Sequence, residues 1–264
     1  MDFQVDGKKV YAATGGREFD PALPAIVFIH GAGCDHTVWA LQTRWFAYHG
    51  RSVLALDLPG NGRSAGPMPA SIGALADWLM RFLAAAGLQQ AALVGHSLGA
   101  LVALEAAARH PDRVWALGLL GAALPMTANP EFLGLAERDD HKAIELMNDW
   151  AHARRSKIGG HPVPGLWLLG GDTRLIEAAH PGLLYQGLKL CNDYALADGY
   201  AAAAKVTCPV QLLLGDSDLM TPLKPARALA QKFAAADVVV LRDCGHMMMG
   251  EKPDETLDAL RELV

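Results

Sequence analysis

Short apolar segments alternating with helical patterns constrain this chain more than any other feature of its sequence. Residues 25–29, 52–56, 91–94 and 114–119 are almost continuously apolar and too short for surface helices. Runs of that kind suit strands buried on both faces of a parallel sheet. Helical patterns separate them at 38–49, 71–86 and 98–110; the last stops at His110-Pro111, where proline disfavours helix in the residue before it. The rhythm returns late, with strand 210–214, helix 222–235, strand 238–241 and helix 253–263. Strand and helix in alternation imply right-handed βαβ units and an α/β fold with a doubly wound, mostly parallel sheet. Near the N-terminus, Asp6-Gly7 separates two short alternating segments, 3–5 and 9–13, which predicts a hairpin closed by a type I′ turn.

Residues 121–205 break this rhythm. They are mostly helical in pattern, interrupted by Gly159-Gly160, Pro162, Pro164 and Gly170-Gly171. Because the alternation continues beyond them, they read as an insertion between two strands of one sheet. The expected organisation is a core of 1–120 and 206–264 with a helical cap, 121–205, inserted between core strands. Ligands of open α/β sheets bind beyond the carboxyl ends of the strands, and an insertion leaving from such an end covers that site. The 264 residues exceed the roughly 150-residue norm for one domain, which this organisation accounts for. A chain of this length buries a sizeable core without a metal or disulfide staple.

Charge and cysteine usage exclude several classes. With 23 basic against 28 acidic residues the net charge is −5, so the basic excess of a nucleic-acid surface is missing. The one basic run, Arg154-Arg155-Ser156-Lys157, reads as a solvated helix face. The first residues show neither the positive n-region nor the apolar h-region of a secretory signal. The longest apolar run, 114–126, contains Gly118, Gly121 and Pro125 and falls short of the ~20 residues that span a bilayer. Cys34, Cys191, Cys208 and Cys244 form no CxxC pair and read as small buried hydrophobes in a reducing compartment. The expectation is a soluble cytoplasmic protein with no nucleic-acid partner and no membrane span, whose oligomeric state the sequence leaves open.

Chemistry enters at Gly95-His96-Ser97-Leu98-Gly99, between strand 91–94 and helix 98–110. A strand that reverses sharply into a helix presents one side chain at the apex, and the flanking glycines leave room for that turn. From 27 glycines and the serines present, Gly-x-Ser-x-Gly is expected by chance only about 0.06 times in the chain. Serine is a weak nucleophile and needs a base, usually a histidine oriented by a carboxylate. Two later loops offer both groups: Asp216 and Asp218 follow strand 210–214, and His246 follows strand 238–241. Both lie past strand carboxyl ends, on the rim where Ser97 is expected.

On these motifs the chain resembles the α/β-hydrolase family from His30-Gly31 to Pro253, with the inserted segment matching least. The family's Gly-x-x-Asp-x-x-x-Pro pattern falls on Gly215 to Pro222 and so favours Asp218 over Asp216. Some relatives carry the acid after the preceding core strand, but that position here reads Gly121-Ala122-Ala123, without a carboxylate. The family's late Gly-His falls on Gly245-His246, which makes His246 the expected base among ten histidines. His30 and His96 read as loop braces, and His49, His110 and His141 as exposed positions at or within helices. Strand 25–29 runs into His30-Gly31-Ala32-Gly33, similar to the family's His-Gly-x motif. The resemblance implies that the backbone N–H groups of Ala32 and Leu98 form an oxyanion hole, with Gly33 as the lesser alternative to Ala32. Asp35 is expected to cap the helix around Val38.

Other patterns carry less. Gly60-x-Gly62-x-x-Ala65 fits a loose dinucleotide fingerprint, but Gly66-Pro67-Met68-Pro69 forbids the helix that must begin in its glycines. The same stretch resembles the family's Asp-x-Pro-Gly-x-Gly-x-Ser turn, so no cofactor is expected. No metal-binding spacing stands out, and Asp139-Asp140-His141 reads as a solvated helix segment. Met247-Met248-Met249 are candidates for an acyl pocket or for plain packing, and Phe132, Trp150, Trp167 and Tyr185 for cap core or pocket wall.

The function these readings imply is a serine hydrolase cleaving small, apolar carboxylic esters through an acyl-enzyme on Ser97, with His246 as base and Asp218 as its partner. Thioesterase, C–C bond hydrolase and perhydrolase chemistry use the same groups and stay open, as does a non-enzymatic ligand sensor on a hydrolase scaffold. Dehalogenases and epoxide hydrolases of the family use an aspartate where Ser97 stands.

Overall fold

The computed structural model describes residues 1–160 and 165–264; Pro162 and Pro164, expected to break the inserted segment, lie outside the described residues. Eight strands form one sheet in the order β1-β2-β4-β3-β5-β6-β7-β8. They are β1 Asp2–Val5, β2 Lys8–Ala13, β3 Ala25–Ile29, β4 Ser52–Leu56, β5 Ala91–His96, β6 Val114–Leu120, β7 Val210–Gly215 and β8 Asp237–Leu241. The hairpin β1–β2 and its junction with β4 are antiparallel, and every pairing from β4 to β8 is parallel. The hairpin turn has Asp6 at φ 51° and Gly7 at φ 72°, the two positive values that a type I′ turn requires.

Strands β3 and β4 are buried at every position because helices cover both faces, which is why their sequences do not alternate. Helices α1 Ala40–Tyr48, α2 Ile72–Ala85 and α3 Leu98–Arg109 connect the first strands. After β6 come α4 Pro130–Glu137, α5 His141–Ala151, α6 Arg154–Lys157, α7 Leu168–Glu177, α8 Leu183–Asp193 and α9 Leu196–Ala203. Beyond β7 lie α10 Leu223–Ala230, α11 Met248–Glu251 and α12 Pro253–Leu263. Two apolar layers result. Val27, Ile29, Leu93 and Leu117 face Leu79, Phe82, Leu101 and Leu104 of α2 and α3. Ile26, Phe28, Val94 and Leu213 face Trp39, Phe46 and Leu260 on the opposite side.

The helix expected from Val38 begins as a 3-10 turn over His36–Trp39, capped by Asp35, whose Oδ1 accepts from Thr37 N at 2.8 Å. The helix expected over 222–235 ends at Ala230. Its alanine-rich continuation carries no stop signal, yet the chain must turn there to enter β8 at Asp237. Cys34, Cys191 and Cys244 are buried, Cys208 is half-buried, and all four are free thiols. No helix among the described residues is long and apolar enough to cross a membrane.

Candidate functional site

Ser97 is the single residue between β5 and α3, and its backbone sits at φ 54°, ψ −117°, a region that L residues rarely occupy. The turn is over-determined by its neighbours. A Cβ at Gly95 would stand 2.2 Å from the carbonyl oxygen of Gly99, and one at Gly99 would stand 2.3 Å from that of Ile29. Ser97 N donates to Leu120 O at 2.9 Å, and Ser97 O accepts from Ala100 N at 2.9 Å. The main chain at Ser97 is therefore held in this conformation by its neighbours.

Asp218 lies on the loop after β7 and is 4% exposed. Its Oδ1 accepts from the backbone N–H groups of Met220 and Thr221, each at 2.8 Å, and its Oδ2 accepts from Thr221 Oγ1 at 2.5 Å. Oδ2 also lies 2.8 Å from Nδ1 of His246. Burial pushes this carboxyl up, but the imidazole of His246 and the hydrogen bonds from His246 and Thr221 outweigh it, so Asp218 stays below the usual carboxylate range. An ionised Asp218 only accepts, so Nδ1 carries the proton and Nε2 of the neutral ring is the basic nitrogen. Nε2 is buried and has no hydrogen-bond partner among the described residues. Asp216, the rival acid, is exposed and holds Ser217 Oγ at 2.9 Å and Cys244 N at 3.4 Å.

Two further histidines shape the surroundings. His96 Nε2 donates to the carbonyl of His246 at 2.9 Å, and the two rings lie 4.6 Å apart. Burial and the neighbouring His246 push its pKa down to about 3, so it is a neutral brace. His30 Nε2 accepts from Leu58 N at 3.0 Å, and burial likewise lowers its pKa. Both play the bracing part expected of them.

Ser97 and His246 line one cavity of about 40 Å³ together with Ala32, Met126, Met147, Leu188, Cys191 and Met220. Among the described residues its lining holds no carboxylate, lysine or arginine. Burial raises the Cys191 thiol to about 12, so it stays protonated. The N–H groups of Ala32 and Leu98 donate to no acceptor among the described residues. Gly31 brings that loop close, since a Cβ there would stand 3.2 Å from Cβ of Ser97. Met247, Met248 and Met249 are buried in the core layer below and line no part of the cavity. Phe132 is buried edge-on against Trp150 and Trp167 is exposed; neither they nor Tyr185 line it.

Asp35, His36 and Asp57 are the one group among the described residues whose side chains converge as metal ligands do. Asp57 is already engaged by protein donors: Oδ1 accepts from His36 N and faces His36 Nδ1, both at 2.8 Å, and Oδ2 accepts from Arg63 N at 2.8 Å. These bonds fold the Asp57-to-Ser64 turn, matching its expected structural role. The sequence reading did not single out Thr221, which braces Asp218, or Glu251, which is 2% exposed and bonded to Gly245 N. An acidic residue directly after the apolar run Met247 to Gly250 was the available signal for Glu251.

Residues 26–259 match the family model described as "Alpha/beta hydrolase family". A pimeloyl-[acyl-carrier protein] methyl ester esterase of Aromatoleum aromaticum is 30% identical over 259 residues, 91% of this chain and 98% of its own. A provisionally assigned carbamate hydrolase, RutD, of Klebsiella pneumoniae is 28% identical over 86% of this chain and 85% of its own. Among solved structures, an enol-lactonase from Burkholderia xenovorans LB400 superposes with a TM-score of 0.85 at 22% identity, covering 98% of each chain, which shows the shared fold.

Proposed function

The chain belongs to the alpha/beta hydrolase family, and on that premise we propose that it is a serine carboxylesterase acting on small, uncharged esters. Ser97 Oγ attacks the ester carbonyl while Nε2 of His246 takes its proton. Asp218 holds the ring in the tautomer that leaves Nε2 basic and stabilises the imidazolium once it forms. The N–H groups of Ala32 and Leu98 receive the developing oxyanion, a contribution of several kcal/mol in a water-poor site. His246 then protonates the departing alkoxide, and water repeats the sequence on the acyl-enzyme to release the acid.

The observation that carries this reading is the unbonded, buried Nε2 of His246 sharing a cavity with strained Ser97, while Nδ1 is bonded to Asp218. The apolar lining supports an uncharged substrate, because a buried unpaired charge there would find no partner. Met126, Met147, Leu188 and Cys191 reach the cavity from 121–205, which supports that segment as a cap over the site. The named activities of the relatives concern a methyl ester, a carbamate and an enol-lactone, all acyl compounds with a heteroatom leaving group. A cytoplasmic location goes with the same reading.

Ser97→Ala is expected to abolish hydrolysis of short p-nitrophenyl esters and labelling by a fluorophosphonate probe while the fold persists. Undiminished turnover in that variant would refute the assignment. A chain-length series of esters, thioesters and β-diketones assigns the substrate class.

A further inference from the structure

Glu251 closes α11, five residues beyond His246, and its carboxylate is buried. Oε1 accepts from Gly245 N at 2.9 Å, while Oε2 accepts from Ala153 N at 2.8 Å and from Ser156 Oγ at 2.7 Å. Among the described residues no lysine or arginine pairs with it; the adjacent Lys252 lies 4.0 Å from Glu255 instead. A buried carboxylate is expensive unless hydrogen bonds replace its hydration; here three donors do so, and an apolar side chain would leave the N–H groups of Gly245 and Ala153 buried without that acceptor. What the carboxylate adds is a joint between two separate parts of the chain.

One part is Gly245, immediately before His246. The other is the stretch 153–156, within the helices inserted between β6 and β7. A second joint runs alongside: Ala151 O accepts from His246 N at 2.6 Å and from Met247 N at 3.3 Å. The fit is tight, since a Cβ at Gly245 would stand 2.4 Å from Ala151 O and 2.8 Å from Glu251 Oε1. The main chain around His246 therefore has three anchors: Glu251 on the preceding N–H, Ala151 on its own N–H, and His96 on its carbonyl at 2.9 Å. One of the three, Ala151, belongs to residues 151–156 itself, and a second, Glu251, shares its carboxylate between Gly245 and Ala153 and Ser156 of that stretch. Asp218 governs the ring, but where the ring stands follows from these main-chain anchors.

We propose that Glu251 is a positioning residue that locks the His246 loop to residues 151–156, so that the imidazole is aligned on Ser97 only while that segment is seated on the core. The proposal rests on the reading of Ser97 and His246 as nucleophile and base. Its consequence is that displacing residues 151–156 from the core releases the base, and reseating restores it, although that segment lines no part of the cavity itself. Hydrolysis is thereby confined to the arrangement in which residues 151–156 are seated.

The test compares Glu251→Gln and Ser156→Ala with the unaltered protein, using p-nitrophenyl acetate and a fluorophosphonate probe. Glutamine keeps the shape, but its NH₂ must face the N–H of Gly245 or of Ala153, donor against donor. A misplaced reacting group is expected to lower kcat about tenfold in Glu251→Gln and about two- to threefold in Ser156→Ala, with KM within about twofold. Labelling of Ser97 slows in the same proportion. In Ser156→Ala, which leaves every charge in place, a looser contact with Asp218 moves the acid limb of kcat/KM to lower pH, a shift that lost stability alone does not produce. A folded Glu251→Gln protein with unchanged kcat and pH profile overturns the proposal. If that variant does not fold, unchanged kcat in Ser156→Ala overturns it instead. Either result leaves Ser97→Ala inactive, whereas an active Ser97→Ala removes the functional reading itself.

Discussion

Replacing Gly121 by alanine measures how closely the imidazole of His246 is confined. Gly121 follows β6 at φ 56°, and its N–H donates to Leu213 O at 3.0 Å. A Cβ there would stand 2.9 Å from both Cε1 and Nδ1 of His246 and 3.5 Å from Cδ2 of His96. Ordinary contact begins at 3.4 Å, so the ring must retreat by about 0.5 Å. Retreat is opposed, because Nδ1 is bonded to Asp218 at 2.8 Å and the ring lies against buried His96. The left-handed backbone costs alanine about 1–2 kcal/mol and the overpacking about 1–3 kcal/mol. A loss of about 2–5 kcal/mol leaves a domain above the low end of the usual ~5–15 kcal/mol range folded at 25 °C. Displacing the base by half an ångström is expected to lower kcat by about ten- to a hundredfold. Initial rates on p-nitrophenyl acetate, paired with urea denaturation of the same preparation, give both quantities. A folded variant with kcat within about twofold of the parent would show that the ring is free to move, and the confinement argument would fail.

Two other outcomes follow from the site and its surroundings. Asp218→Asn is expected to leave the fold intact and lower kcat by about 10⁴, because an amide no longer fixes the tautomer; a near-parental rate would move the acid to Asp216. His152 is buried with Nδ1 2.9 Å from Asn148 O and Nε2 2.8 Å from Asp172 Oδ2, two acceptors that only the imidazolium satisfies together. Burial lowers its pKa, but the bond and charge of Asp172 outweigh that and leave it raised. The stabilisation is therefore complete below the ordinary imidazole value of about 6.5 and is lost as pH rises through the folded value. Urea midpoints should decline on the alkaline side of about pH 6.5, and Asp172→Asn should flatten that decline; equal slopes in both proteins would refute it.

The strands were legible because burial on both faces leaves a compositional trace that needs no partner to be recognised. Residues 25–29 and 52–56 coincide with β3 and β4. β5 and β6 run on to His96 and Leu120 because those two residues pair with each other, a fact of register that neither segment carries alone. Gly95-His96-Ser97-Leu98-Gly99 predicted its turn for a local reason, the close approach of backbone to backbone. The cavity wall was not legible. An amphipathic helix shows which face is buried but not what it is buried against, so the aromatics of 121–205 and the Met247 triplet each stood as candidates for core or for pocket wall. The wall is built instead from Met126, Met147 and Met220.

By itself the sequence determined the layered α/β architecture and the helical run between β6 and β7, because periodicity and turn chemistry act over a few residues. Tertiary structure decided what depends on distance between remote segments. It placed the Asp218 carboxylate 2.8 Å from Nδ1 of His246 and left that of Asp216 at the surface. It also turned Glu251, an unremarked acid in the sequence, into the joint between His246 and residues 153–156. Hydrogen bonds reach about 3 Å, and only the folded chain brings residues 98 positions apart to that range.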